Sequence, residues 1–163
     1  MIEIWVIVNG HKVPLGDGEI GSRPDSENSD NHIVFFDGYC VMCSKSVGFI
    51  LSRDHRTTFR FASLQSDFSK NILSIKGYPI ANIQNLSNIV YLRTNVLKIK
   101  SDAVLFILWD LGGIYKISFL VYLLPRVVRD FAYDRIAKLR YRIFGKRDTC
   151  RIPTPQEMFR FLG

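Results

Sequence analysis

The chain has few cysteines and lacks a long apolar run. Three cysteines among 163 residues are an odd and low count, unlike the paired cysteines of small secreted proteins, so we expect a cytoplasmic protein. The longest uncharged apolar run near the C-terminus, ISFLVYLLP, has nine residues, whereas a membrane span needs about 20. The first residues, MIEIWVIVNG, include Glu3 where a signal peptide has basic residues, so we expect no secretory signal.

The composition favours a folded domain with a basic C-terminal third. Hydrophobic residues make up 47% of the chain, which suffices for one core. Residues 114–163 contain 11 Lys/Arg and 4 Asp/Glu, whereas residues 1–113 contain 11 of each, so the net charge of +7 lies in the last third. This charge indicates either a solvated surface or a surface with weak, salt-sensitive affinity for a membrane or an acidic partner. We expect no specific nucleic-acid binding.

The sequence divides into four regions. In residues 1–21, an Asn-Gly pair separates two apolar segments, which predicts a β-hairpin appendage. Residues 22–32 include SRPDSENSDN, a stretch without large apolar residues that is typical of a linker. Residues 33–113 predict an α/β core, and residues 114–163 predict a basic helical extension packed on that core.

The core region alternates between strand and helix patterns. IVFFD and TFRFASLQ predict strands, and CSKSVGFILSRD between them predicts a helix. SDFSKNILSIKG predicts a helix with Ser66 or Asp67 as N-cap, and NIVYLR with VLKIK predicts a hairpin. SDAVLFILWDLGG predicts a last core helix capped by Ser101 or Asp102. The order βαβ, then a second helix and ββα, predicts an α/β fold with a thioredoxin-like core.

The segment RVVRDFAYDRIAKLRYRIFGK predicts a helix with two contrasting faces. Apolar residues recur in it at spacings of three and four; they are Val128, Phe131, Ala132, Ile136, Leu139 and Ile143. We expect this stripe to pack on the sheet, because a long exposed stripe promotes aggregation. The outward face would then carry Arg129, Arg135, Lys138, Arg140 and Arg142.

The motif DGYCVMC joins the first core strand to the helix that follows. An Asp-Gly pair provides the turn, and Cys40 falls at or near the N-cap, where unpaired backbone N–H groups lower the pKa of a thiol. We therefore expect Cys40 to be an exposed nucleophile. Cys43 shares a helical face with Val47 and Ile50, so we expect it to be shielded and to act as the resolving thiol.

Other roles for these residues stay open. Cys40, Cys43, Cys150 and a histidine could form a zinc site, although no second paired spacing supports it. The cysteines could also be inert structural residues. Asp37 either shapes the turn by accepting backbone N–H groups or accepts a cysteine proton during exchange. Cys150 is either a free tail thiol or a third redox partner.

The sequence resembles a known family. IVFFDGYCVMC resembles the signature of the DCC family of thiol-disulfide oxidoreductase-like proteins, named for its Asp-Cys-Cys residues, here Asp37, Cys40 and Cys43. FRFASLQS, SDAVLFILWDLGG and LPRVVRDFAYDRIAKLRYRIFGKRDTC extend the resemblance over residues 33–152. It implies a thioredoxin-like fold and thiol-disulfide exchange. Thioredoxins place a proline before the third core strand, and QNLSNIV has none, which weakens substrate docking of their kind.

Thiol-disulfide exchange is therefore the predicted function, with Cys40 attacking and Cys43 resolving. We expect a protein or small-molecule thiol or disulfide as substrate, an external dithiol as reductant, and no metal or organic cofactor. Two alternatives of other classes stay open. One is a non-catalytic module whose basic C-terminal helices dock an acidic partner or a membrane surface, and the other is a small metal-binding protein.

Overall fold

A four-stranded sheet lies at the centre of the protein. The computed structural model describes residues 5–8, 11–14, 32–84, 88–146, 148 and 153–163. The strands are β1 (Trp5–Val8), β2 (His11–Pro14), β3 (His32–Phe36), β4 (Phe59–Ser63), β5 (Val90–Arg93) and β6 (Val96–Ile99). The α-helices are α1 (Val41–Arg53), α2 (Asp67–Ile75), α3 (Ile80–Gln84), α4 (Lys100–Leu111) and α5 (Arg126–Phe144). Two 3-10 helices cover Gly113–Leu123 and Met158–Arg160.

The central sheet has the strand order β4-β3-β5-β6. β3 pairs in parallel with β4 and antiparallel with β5, and β6 pairs antiparallel with β5. Thr94 and Asn95 turn the β5-β6 hairpin with φ values of 44° and 69°, a left-handed conformation that suits a two-residue turn between twisted strands. A parallel βαβ unit followed by an antiparallel hairpin and a helix confirms the predicted α/β fold with a thioredoxin-like core.

Helices cover both faces of the sheet. β3 is buried along its whole length, and its side chains alternate between the faces. Ile33 and Phe35 join the core cluster that includes residues of α2 and α3. Val34 and Phe36 join the opposite cluster, which includes residues of α1 and α4. The cysteine motif therefore lies on the α1-α4 side of the sheet.

The start of α2 is as predicted, whereas the start of α4 is not. The Ser66 side chain accepts a backbone N–H at 3.2 Å and caps α2. The prediction that Ser101 or Asp102 caps α4 is wrong, because α4 begins at Lys100 and its N-cap residue, Ile99, makes no side-chain hydrogen bond. Ser101 and Asp102 lie in the first turn of α4 and contact α5 instead.

Helix α5 packs with two arginines inward, contrary to prediction. Arg129 and Arg140 are only 7% and 4% exposed. Arg129 donates to the Asp102 carboxylate at 2.7 Å and so neutralises a charge at the start of α4. The six residues of the predicted core stripe are exposed, with Phe131 at 60%. Because a buried carboxylate needs a paired cation, the arginines rather than the apolar stripe face the core.

The C-terminal residues seal the edge of the sheet beside β4. The Arg160 guanidinium is buried, donates to the Phe59 carbonyl at 2.9 Å and pairs with the Asp54 carboxylate. The backbone N–H of Leu162 donates to the Phe61 carbonyl at 2.8 Å. The polar edge of β4 is therefore partly paired within the chain, which discourages strand addition there.

The N-terminal strands pair with each other, and other predictions fall outside the described residues. β1 and β2 are antiparallel, as expected for a hairpin. Cys150 and all of the predicted linker except His32 lie outside the described part, and His32 belongs to β3 rather than to the linker. The division into four regions otherwise stays a prediction. Among the described helices, none is long and apolar enough to cross a membrane.

The inward arginine of α5 makes a prediction about stability. Arg129→Leu should lower the free energy of unfolding by roughly 3 kcal/mol, because it leaves the largely buried Asp102 carboxylate without its nearest cation. Arg135→Leu is the matched control on the exposed side of the same helix and should change that energy by less than about 0.5 kcal/mol. Urea unfolding curves measure both. Equal losses, or a large loss for Leu139→Asp, would contradict the packing of α5.

Candidate functional site

The cysteine pair lies where β3 passes into α1. Cys40 is the N-cap of α1, as predicted, and its backbone N–H donates to the Asp37 carbonyl at 3.2 Å. The backbone N–H of Cys43 donates to the Cys40 sulfur at 3.3 Å. The sulfur thus takes the place of the serine or aspartate oxygen of an ordinary N-cap. It accepts a hydrogen bond from one of the backbone N–H groups that have no partner within the helix.

The two thiols differ in acidity. Hydrogen bonds from the Cys43 side chain and backbone lower the pKa of Cys40 to about 6, although burial opposes this shift. The positive charge of Arg140 lowers the same pKa further, and the charge of Asp37 raises it. The shared hydrogen bond, together with burial, raises the pKa of Cys43. The two opposite shifts favour a state in which Cys43 holds the proton and Cys40 is the thiolate.

The prediction that Cys40 is exposed is wrong, whereas Cys43 packs against the core cluster of Val47 and Ile50 as expected. Cys40 is 0% exposed, whereas Cys43 is partly exposed. The backbone of Lys146, directly after the C-cap residue of α5, pairs with that of Cys40 as an isolated antiparallel bridge. The chain beyond α5 thus returns to the turn and pairs with the backbone of the buried Cys40.

Asp37 lies beside the pair and is only 2% exposed. Its Oδ1 accepts the backbone N–H of Tyr39 at 3.0 Å and the side-chain amide of Gln65 at 2.9 Å. Its Oδ2 accepts the Tyr141 hydroxyl and lies 3.5 Å from the Arg140 guanidinium. The bond to Tyr39 is the expected turn contact. The two side-chain donors and the ion pair with Arg140 tie the turn to the end of β4 and to α5.

Sequence reasoning missed three of the residues around Asp37. Gln65 also accepts the Gly38 N–H at 3.2 Å, so it braces the turn on both sides. Arg140 was expected on the outer face of α5, and Tyr141 had no assigned role. One signal in the sequence points to such partners. Asp37 follows an apolar strand, so its carboxylate is expected to be buried and to need donors from elsewhere.

A cavity of about 90 Å³ opens beside Cys43. Ile89, Tyr133 and Arg140 are among the residues that line it. The Ile89 backbone N–H donates to the Tyr133 hydroxyl at 2.8 Å, and the Ile89 carbonyl accepts from the Lys100 N–H at 3.3 Å. The backbone N–H and carbonyl of Ile89, the residue before β5, are therefore both hydrogen-bonded within the protein. Neither group is left unpaired for the backbone of a substrate.

The described residues do not assemble the ligands of the metal alternative. In that part of the chain, no group of three or more His, Cys, Asp or Glu side chains could hold a metal ion. Cys150, which the zinc hypothesis requires, lies outside it. His32 starts β3, at the other end of the strand from the cysteines, and lies 3.6 Å from the Asp110 carboxylate.

Comparison with known proteins gives a family match over this region. A family model described as "DCC1-like thiol-disulfide oxidoreductase" matches residues 34–146. The chain is 34% identical over 137 residues to the uncharacterized protein YuxK of Bacillus subtilis (strain 168), which covers 84% of this chain and 98% of that protein. It is 33% identical over 127 residues to a chloroplastic DCC family protein of Arabidopsis thaliana, covering 77% of this chain and 72% of the relative. No solved structure matches the chain.

The charge of Arg140 makes a prediction about the pH dependence of the thiolate. Arg140→Gln should raise the pKa of Cys40 above about 6, because it removes a nearby positive charge that favours the ionised form. The thiolate absorbance of the reduced protein should then appear at higher pH than in the parent. Lys138→Gln removes an exposed cation from the same helix and should leave the titration unchanged. Identical titrations for Arg140→Gln and the parent would refute this role of Arg140.

Proposed function

Because the chain belongs to the DCC1-like thiol-disulfide oxidoreductase family, we propose that it exchanges thiols and disulfides through Cys40 and Cys43. Cys40 attacks as the thiolate, and Cys43 resolves. One observation carries the proposal: the Cys40 sulfur lies at the start of α1 and accepts the Cys43 N–H at 3.3 Å. That arrangement supplies a thiolate at neutral pH with a second thiol within reach.

The exchange proceeds in two steps. The Cys40 thiolate attacks one sulfur of a substrate disulfide, the substrate S–S bond breaks, and one substrate thiolate leaves and takes up a proton. Cys43 then loses its proton and attacks the Cys40 sulfur, which releases the second substrate thiol and forms the Cys40–Cys43 disulfide. Two electrons have passed to the substrate. An external dithiol reduces the pair again by the reverse sequence and is itself oxidised.

The state of Cys40 controls the acidity of Cys43. While Cys40 is a thiolate, its hydrogen bond and its negative charge help to raise the pKa of Cys43. Once Cys40 is bound in a mixed disulfide, that charge is gone, so the Cys43 proton leaves more easily. The resolving thiol, Cys43, thus stays protonated until the first step has occurred. We assign Asp37 to positioning the turn, because its carboxylate already accepts hydrogen bonds from Gln65 and Tyr141 and forms an ion pair with Arg140.

A buried thiolate requires movement before it can react with a large substrate. The Lys146 backbone pairs with that of the buried Cys40, and the Tyr141 hydroxyl holds the same end of α5 against Asp37. We therefore expect the segment from Tyr141 to Lys146 to move away during turnover. Protein and small-molecule disulfides both stay candidates as substrates, and a cytoplasmic location stays a prediction.

The assignment of roles predicts different behaviour for the two cysteine variants. In a Cys150→Ser background, Cys43→Ser should accumulate a mixed disulfide with an added small disulfide, because the serine cannot release it. Cys40→Ser should accumulate none. Intact mass spectrometry counts the adducts. Adducts on Cys43 alone would reverse the roles, and equal adducts on both thiols would refute the asymmetry.

The contact between Tyr141 and Asp37, which holds the end of α5 beside Cys40, leads to a second prediction. Tyr141→Phe removes one hydrogen bond to a buried carboxylate, so opening should become about tenfold more frequent. Cys40 should then react with iodoacetamide correspondingly faster at neutral pH. Tyr115→Phe is the control, since its hydroxyl bonds to an exposed arginine away from the site. Equal Cys40 rates for Tyr141→Phe and the parent would show that this contact does not limit access.

A further inference from the structure

The 3-10 helix Gly113–Leu123 presents a row of large apolar side chains to solvent. Side chains three residues apart lie on the same side of a 3-10 helix. Ile114, Ile117, Leu120 and Leu123 have this spacing and are 63–84% exposed. We call these four residues the apolar ridge. After Pro125 in the sequence, α5 also exposes large apolar side chains, and we call these the α5 stripe: Val128, Phe131, Ile136, Leu139 and Ile143.

The opposite side of the 3-10 helix is anchored. The Phe119 ring lies 4.8 Å from the Trp109 ring of α4 and stacks on the Tyr122 ring at 4.7 Å, measured between centroids. Phe106 of α4 makes edge contacts with the same two aromatic rings of the 3-10 helix. Aromatic packing therefore fixes the 3-10 helix on α4. The apolar ridge faces outward because the opposite side of the 3-10 helix packs on α4.

The segment that carries the apolar ridge and the α5 stripe is positively charged. Residues 113–146 contain eight Lys/Arg and two Asp. Both carboxylates are engaged, since Asp130 pairs with Arg126 at 3.4 Å and Asp134 pairs with Lys100 at 2.9 Å. Four further cations, Lys116, Arg135, Lys138 and Arg142, lie on the exposed side. Within the described residues these four form no ion pair with a carboxylate.

We propose that the apolar ridge and the α5 stripe bind the surface of an anionic membrane. The helices would lie in the plane of the interface, with aliphatic side chains at the headgroup–acyl boundary and the four cations at the level of the phosphates. Trp109 and Tyr122, 38% and 42% exposed, are residue types that favour this boundary. A second copy fits less well, because a symmetric contact would place the same positive surface against itself.

Vesicle binding by the full, reduced chain tests this proposal. Sedimentation with vesicles of phosphatidylglycerol and phosphatidylcholine should recover the protein, and vesicles of phosphatidylcholine alone should recover much less. Ile117→Asp with Leu123→Asp should abolish binding without lowering the melting temperature, since both side chains are exposed. Ile75→Asp, at an exposed apolar position in α2, is the control. Lys138→Gln should weaken binding roughly fivefold.

Fluorescence provides a readout that does not depend on variants of the surface. The chain has two tryptophans, so Trp5→Phe leaves Trp109, beside the apolar ridge, as the reporter. Its emission should shift to the blue when anionic vesicles are added. No shift and no sedimentation would overturn the proposal, as would equal recovery of the double aspartate variant. A concentration-dependent dimer that the double aspartate variant abolishes, without vesicle binding, would show instead that the surface joins two copies.

Discussion

The burial of one carboxylate, that of Asp37, is the constraint on which the candidate site depends. A carboxylate that is 2% exposed must be surrounded by donors. Gln65 supplies one from the end of β4 and Tyr141 one from α5, and Arg140 of α5 adds a positive charge 3.5 Å away. These contacts hold the end of α5 against the cysteine turn. They also explain why the chain after α5 can pair with the Cys40 backbone.

The same contacts give the thiol pair its electrostatic asymmetry. Arg140 lies 3.5 Å from the Asp37 carboxylate, and its charge lowers the pKa of Cys40 while that of Asp37 raises it. The hydrogen bond from Cys43 decides the outcome, since it is the largest cause of the lowered pKa of Cys40. Because Cys40 is fully buried, its ionisation and its accessibility to a substrate are separate properties. The lowered pKa of Cys40 favours the thiolate, and in our proposal a substrate reaches it only after the end of α5 moves.

Periodicity predicted the core well because its elements follow local rules. The apolar β3 strand, the Ser66 cap and the β5-β6 hairpin all agree with the structure. The packing of α5 could not be predicted this way. Spacing shows which residues share a face, whereas Asp37 and Asp102 decide which face is buried. The pairing of the Cys40 backbone with that of Lys146 joins residues far apart along the chain, so no local pattern reports it.

The central claim is that Cys40 and Cys43 form a reversible redox couple, and their oxidation state tests it most directly. The intact chain is equilibrated in glutathione buffers of graded potential, quenched with acid and analysed as proteolytic peptides by mass spectrometry. Our account predicts the loss of two hydrogens in the peptide that contains both cysteines, with full recovery on reduction. Disulfides that join Cys150 to either residue, or that join only separate chains, would contradict it.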